Sequence, residues 1–386
     1  MKKLCSLVLV ASCSCLTGFA VSRNASFDLR AAVNVSDHYL LLVNTAIAFM
    51  MTESKFRQFD RSDYDGLAVA FLHAYDTTEV PSVAVMDAQL NQWKHWTKKD
   101  IWPWVYINRM IGASLNEKNP HSDTLYFHRI QGIDLDDSQG ARTDFLAIWR
   151  RSLAAARDSK MPGVVFDPEF YNYYREYDVG EVAKQSGKTP AAVEASFRAL
   201  GAQMADAAAQ EYPRATLWFF WTGLSRPAYK TYDGVGYYPS PTYIALGLLD
   251  EILQKRLTLK VLSGGEVGLS YCHDSLEDLR SAITDRERAF GPSLQKYRGI
   301  LELAGTMTLW SDRAANNVCK TATAASVEEL QPYLELLLRS YQYNWIWGSA
   351  DGGYLAFAPE SAGRFDAMIR RARMNIQQRA LSGGTN

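Results

Sequence analysis

The sequence predicts an α/β chain folded as a (β/α)8 TIM barrel, with an N-terminal arm and helix in front of it and one irregular crossover. Three observations lead there. Eight short apolar or β-branched runs recur along the chain, and segments with helical periodicity lie between most of them. That alternation is the pattern of a parallel barrel. A doubly wound open sheet would carry a glycine-rich first strand-to-helix turn, whereas Gly264-Gly265-Glu266-Val267-Gly268 does not fit GxGxxG and comes late.

Residues 1–20 have the form of a targeting segment. Lys2 and Lys3 are followed by an apolar stretch from Leu4 to Val10 and then by small residues. Cleavage after Ala20 fits an ordinary signal peptide, and Val10-Ala11-Ser12-Cys13 resembles a lipobox in which Cys13 would be lipidated. Either route predicts an exported protein: periplasmic, anchored to the outer membrane as a lipoprotein, or secreted. Residues 21–60 are expected to form the arm and helix, with the apolar run Tyr39–Met51 read as a buried helix, since it holds Asn44 and is too short to span a bilayer. The barrel is expected over 61–381.

Its predicted strands are Leu67–His73, Trp104–Arg109, Gly132–Leu135, Gly163–Asp167, Thr216–Trp221, Lys260–Leu262 running towards Glu266, Leu301–Leu309 and Asn344–Trp347. Helices are expected over Thr143–Arg157, Pro190–Glu211, Ser275–Phe290, Ser326–Tyr341 and Ala362–Leu381. Thr189-Pro190 supplies an N-cap and a first-turn proline. Ile111–Arg129 shows no helical pattern and is the irregular crossover.

Lys plus Arg number 41 and Asp plus Glu 42, a net charge of −1, which argues against nucleic acid or an anionic membrane as the main partner. Membrane attachment is expected only through a lipid on Cys13. Three of the five cysteines, Cys5, Cys13 and Cys15, lie in or near the targeting segment; Cys272 and Cys319 remain, and their pairing stays open. With no CxxC or HxxxH spacing and six scattered histidines, no metal and no cofactor are expected. Ser225, Ser270 and Ser349 lack a nucleophile elbow.

Barrel active sites lie at the C-terminal strand ends. In strand order these ends offer His73, Asn108, Asp134, Asp167 with Glu169 and Tyr171, Trp221, Glu266 or Tyr271, Trp310, and finally Trp345, Trp347 and Asp351. Carboxylates and indoles dominate, which suits a neutral polyhydroxylated ligand. The sharpest feature is G-V-V-F-D-P-E-F-Y, from Gly163 to Tyr171. Residues two apart on a strand share a face, so Asp167 and Glu169 are expected to point together, and Pro168 marks where strand pairing stops. Neighbouring carboxylates favour one protonated partner, the arrangement glycosidic cleavage uses.

That run resembles the fourth-strand signature of chitinase-like glycoside hydrolases, a glycine-led apolar strand ending in D-x-E. The resemblance implies Glu169 as proton donor and Asp167 as its assistant. The family has a further carboxylate two residues before the Asp, where this chain has Val165. Trp345-Ile346-Trp347-Gly348 is similar to the family's eighth-strand indole and Ser270-Tyr271 to its sixth-strand tyrosine. With Gly132-Ile133-Asp134 and Leu217–Leu224, the pattern also resembles a group of bacterial exported proteins regarded as barrel glycosidases.

The expected function is therefore a glycoside hydrolase on an unidentified glycan, with Glu169 and Asp167 as the catalytic pair and the other strand-end residues named above binding substrate. Two alternatives stand beside it. One is a non-catalytic carbohydrate-binding surface lipoprotein; the other is a metal-dependent hydrolase built on Asp134, Asp136 and Asp167.

Overall fold

The computed structural model describes residues 38–47, 51–71, 81–107, 113–118, 125–129, 135–138, 140–169, 178–224, 229–230, 236–266, 269, 273, 275–308, 327–347 and 359–381. The barrel lies within the compact unit 34–386.

In chain order the elements are β1 (Tyr39–Ile47), α1 (Glu53–Asp60), β2 (Gly66–Ala70), α2 (Val83–Trp96), β3 (Asp100–Tyr106), β4 (Ala113–Lys118) and β5 (Leu125–Arg129). Then follow α3 (Ala141–Asp158), β6 (Gly163–Asp167), α4 (Val179–Ser186), α5 (Pro190–Glu211), β7 (Thr216–Phe219), β8 (Tyr229–Lys230) and β9 (Gly236–Tyr237). The last are α6 (Ser240–Lys255), β10 (Lys260–Ser263), α7 (Leu276–Lys296), β11 (Leu301–Thr308), α8 (Val327–Ser340), β12 (Tyr343–Trp347) and α9 (Pro359–Leu381).

Eight parallel strands close a ring in the order β1-β2-β3-β6-β7-β10-β11-β12, with β12 pairing back onto β1. Following the paired residues once around the ring returns to β1 displaced by eight positions, the stagger of a (β/α)8 barrel. Two expectations are corrected. Tyr39–Met51 is not a helix: its first nine residues are the opening barrel strand, so the barrel starts at Tyr39 and not after residue 60. Leu40 to Val43 are buried on both faces of the sheet, and such a strand reads as an unbroken apolar run with no alternation to betray it. Conversely, Gly132–Leu135 supplies no strand to the ring; Leu135 lies in a turn and 132–134 fall outside the described residues. The two errors offset, and Gly163–Asp167 is still the fourth strand. The irregular crossover contains the antiparallel pair β4–β5.

Alternation sorts the side chains into two cores. Val164, Phe166, Leu217 and Phe219 face outward; the Phe166 ring meets Trp149 of α3 at 5.7 Å and Phe219 at 4.8 Å. Leu41, Val43, Trp102, Trp104, Tyr106, Val165, Trp218, Phe220, Leu262, Ala304 and Trp345 fill the barrel itself. At its N-terminal end the Tyr39 hydroxyl donates to Asp100 Oδ2 (3.0 Å) and accepts from Trp102 Nε1 (2.7 Å). Burial pushes the Tyr39 hydroxyl pKa well up and raises that of the Asp100 carboxyl. This end is a packed plug.

The helical layer carries a pH-dependent tie. Asp250 on α6 accepts from Lys296 Nζ (2.6 Å) and the Tyr297 hydroxyl (2.8 Å), joining α6 to the end of α7. Burial alone would raise its pKa, but the Lys296 and Tyr297 hydrogen bonds outweigh burial and hold it below the ordinary carboxylate value. A depressed folded-state pKa contributes stability above the unfolded value that is lost as pH falls through the folded one. Asp250→Asn is therefore expected to lower the urea midpoint at pH 7 and to match the wild type at strongly acidic pH. A gap that stays constant across this range would remove the ionised carboxylate from the account.

Candidate active site at the fourth-strand end

On β6, Val165 and Asp167 face into the barrel while Val164 and Phe166 face the helices. Asp167 is the last ladder residue, fully buried and opposite Tyr106 of β3. Pro168 follows, buried and without an N–H to extend the ladder. The chain then turns so that Glu169 N donates to Asp167 Oδ1 at 2.9 Å, an aspartate-stabilised turn. One carboxylate oxygen of Asp167 thus fixes the backbone of Glu169. Glu169 itself is half-buried. The pair is less symmetric than an i, i+2 strand relation suggests: Asp167 is a buried anchor and Glu169 sits nearer solvent. Val165 lies inside an apolar barrel, so no carboxylate precedes Asp167 on its face.

An aromatic wall stands beside this turn. Trp104 stacks on Tyr106 with ring centres 4.7 Å apart, and Trp347 meets Trp104 edge-on at 6.1 Å. Trp104 is buried, and among the described residues its indole N–H has no hydrogen-bond partner. Sequence reasoning named Trp221, Trp345 and Trp347 as ligand-facing. The structure separates them. Trp345 is core: its Nε1 donates to Gly264 O (2.6 Å) and its ring stacks on Phe220 at 4.6 Å. Trp221 is also buried, and Trp347 alone of the three is partly exposed. Buried Trp104, which backs Trp347 from inside the barrel, and Tyr106 stacked on it were not expected here, although Trp102-Pro103-Trp104-Val105-Tyr106 holds aromatics at strand spacing.

The sixth barrel strand, β10, ends in a tightly held turn. Gly264 N donates to Phe219 O (2.7 Å) and Glu266 N to Phe220 O (3.2 Å), so the turn leans on β7. A Cβ on Gly264 would come within 2.6 Å of Phe220 O, and Gly265 has φ +90, a conformation glycine tolerates. Buried Arg286 of α7 donates Nη2 to Ser263 O (2.7 Å) and Nη1 to Ala304 O (2.8 Å). Glu266 is half-buried at the end of this turn, and Thr222 Oγ1 lies 3.0 Å from Ser263 Oγ beneath it.

His73, Asn108, Asp134, Tyr171, Tyr271, Trp310 and Asp351 lie outside the described residues, as do Cys272 and Cys319. Asp136, a candidate metal ligand in the sequence, is described, and the structure gives it a different place. It occupies a turn, 66% exposed, in an ion pair with Lys188 (2.7 Å). Its neighbour Asp137 takes the backbone N–H groups of Arg142 (2.8 Å) and Thr143 (3.1 Å) at the start of α3. This is capping chemistry, and Asp136 does not join Asp167 in a metal site.

No protein-family model matches the chain, and no curated protein matches it. Among solved structures it is similar to a GH18 chitinase from Pseudoalteromonas aurantia, at 9% identity over 86% of this chain and 99% of that one, TM-score 0.44. A GH18 chitinase from the chitin utilization locus of Flavobacterium johnsoniae is also similar, at 9% identity over 88% and 94%, TM-score 0.41. So is an old yellow enzyme homologue from Zymomonas mobilis, at 12% identity over 80% and 83%, TM-score 0.40. At these scores the likenesses add nothing to the barrel that the strand pairing itself defines, and function has to be argued from the site.

Proposed function

We propose that the chain is a glycoside hydrolase acting on a neutral glycan, with Glu169 as general acid and Asp167 as the group that positions it. The observation that carries this is the turn at the fourth-strand end, where buried Asp167 holds the Glu169 backbone at 2.9 Å. Glycosidic cleavage needs a carboxylic acid at a fixed place beside the leaving oxygen. Asp167 fixes the place, and the partly exposed Trp347 ring, backed edge-on by buried Trp104, offers an apolar face for a sugar ring. Export through residues 1–20, by cleavage after Ala20 or lipidation at Cys13, completes the proposal and would bring the protein to extracytoplasmic glycans.

The test is a cleavage screen of the protein from Val21 onward against 4-nitrophenyl glycosides and a polysaccharide panel. Glu169→Gln, shown to be folded by circular dichroism, is expected to lose about 10²- to 10⁴-fold in kcat on any substrate cleaved. Wild-type rates in that variant would overturn the reading. A glycan that binds but is never cleaved would establish a carbohydrate-binding protein instead.

A further inference from the structure

The geometry points to Glu266 as the second catalytic carboxylate, working across β7 from Glu169 to cleave with inversion at the anomeric carbon; this rests on the glycosidase reading above. Val164, Leu217 and Val261 stand side by side on β6, β7 and β10. Five positions beyond each of them are Glu169, Thr222 and Glu266. The hydrogen bonds follow the same path: Phe220 N donates to Phe166 O (3.1 Å), and Glu266 N to Phe220 O (3.2 Å). The Glu266 backbone is therefore held two strand spacings from β6, about 9–10 Å. Glutamates whose backbones are held across that span suit the roughly 6.5–9.5 Å carboxyl separation of inverting enzymes better than the roughly 5–5.5 Å of retaining ones.

Two further observations favour Glu266 over Asp167 as the partner. Asp167 is fully buried and commits an oxygen to Glu169 N, which leaves it poorly placed to attack an anomeric carbon or to activate water. The Glu266 turn, by contrast, is over-determined. Trp345 Nε1 holds Gly264 O, Arg286 holds Ser263 O and Ala304 O, and a Cβ on Gly265 would meet Arg286 Nη1 at 3.0 Å. An exposed connecting loop has no need of such fixing, whereas a side chain that must meet a reacting water has.

The step balances with water as the only co-reactant. The water oxygen bonds to the anomeric carbon from the face opposite the leaving group, and its proton passes to the Glu266 carboxylate. The anomeric carbon–oxygen bond breaks, and the leaving oxygen takes the Glu169 proton.

The test follows any substrate cleaved in the same 4-nitrophenyl glycoside and polysaccharide panel by ¹H NMR before mutarotation. The first sugar formed is expected to have the opposite anomeric configuration to the substrate. Glu266→Gln is expected to lose about 10²- to 10⁴-fold in kcat with a smaller change in KM. In Glu266→Ala, sodium azide should restore turnover and give the inverted glycosyl azide. Retained configuration overturns the inference even if the variants fail to fold, as does a folded Glu266→Gln within threefold of wild type. Either result with Glu169→Gln inactive leaves the glycosidase reading standing; a wild type that cleaves nothing overturns both.

Discussion

Gly163→Ala is expected to unfold the barrel more readily than any other single methyl added to its sheet. The first residue of β6 lies against β7 so closely that a Cβ would sit 1.9 Å from Thr216 O and 2.7 Å from Thr216 N. Those are backbone atoms, fixed by the parallel ladder in which Gly163 pairs with Thr216, and they cannot rotate aside as a side chain can. The only relief is to part the two strands, and that breaks the packing of Val164 and Phe166 on their outer face. Forcing atoms into a packed interior costs up to about 3 kcal/mol, occasionally more, and this site has no soft neighbour to yield. A scanning calorimetry experiment should show melting several degrees lower, and any hydrolytic activity should fall with it, because Asp167 is four residues along the same strand. Melting within a degree of wild type would mean that β6 and β7 do not need this approach.

Arg286→Met should destabilise by about 2–4 kcal/mol, the cost of leaving buried carbonyls without their donor. The side chain is 1% exposed, and its guanidinium bridges the ends of β10 and β11 through Ser263 O and Ala304 O. Burial pulls its pKa down from the ordinary arginine value, so the charge is held at a cost that two charge-assisted hydrogen bonds and the Tyr341 and Phe290 rings offset. Methionine retains most of the stem packing, which isolates the loss of the bridge. Lysine should rescue less than half, since one ammonium lacks the planar fork that spans two acceptors. Urea unfolding of the three proteins measures this, and equal midpoints for Met and Arg would show that the carbonyls find other donors.

Most of the barrel was legible wherever an amphipathic segment follows a short apolar one. Gly163–Asp167 and Pro190–Glu211 are found with the predicted bounds, the latter because Thr189 caps α5 at Ala192 N ahead of Pro190. What failed has a common physical origin. β1 is buried on both faces, so its sequence carries no period to tell strand from helix, and Pro103 hid the first half of β3, which was expected to begin only at Trp104. At the site, the end of β6 was readable because Asp-Pro-Glu after an apolar run is an abrupt change of chemistry. Which indoles pack and which reach the rim was not readable. Trp345 and Trp347 share a face of one strand, and only the depth of each in the barrel separates them.

The closure of β1 on β12 bears on how the chain is made. His38, just ahead of β1, and Tyr341, just ahead of β12, are hydrogen-bonded across 303 residues of sequence. The first strand of the barrel therefore waits for the last before its ladder is complete on both sides. Contacts of such sequence separation form late, because the entropy of closing the loop comes before any reward from pairing. Until β12 is synthesised the nascent chain is an unclosed sheet with an open edge at each end. The ring therefore shuts only once its last strand is available, and everything inside it, the fourth-strand turn included, reaches its final packing at that late step.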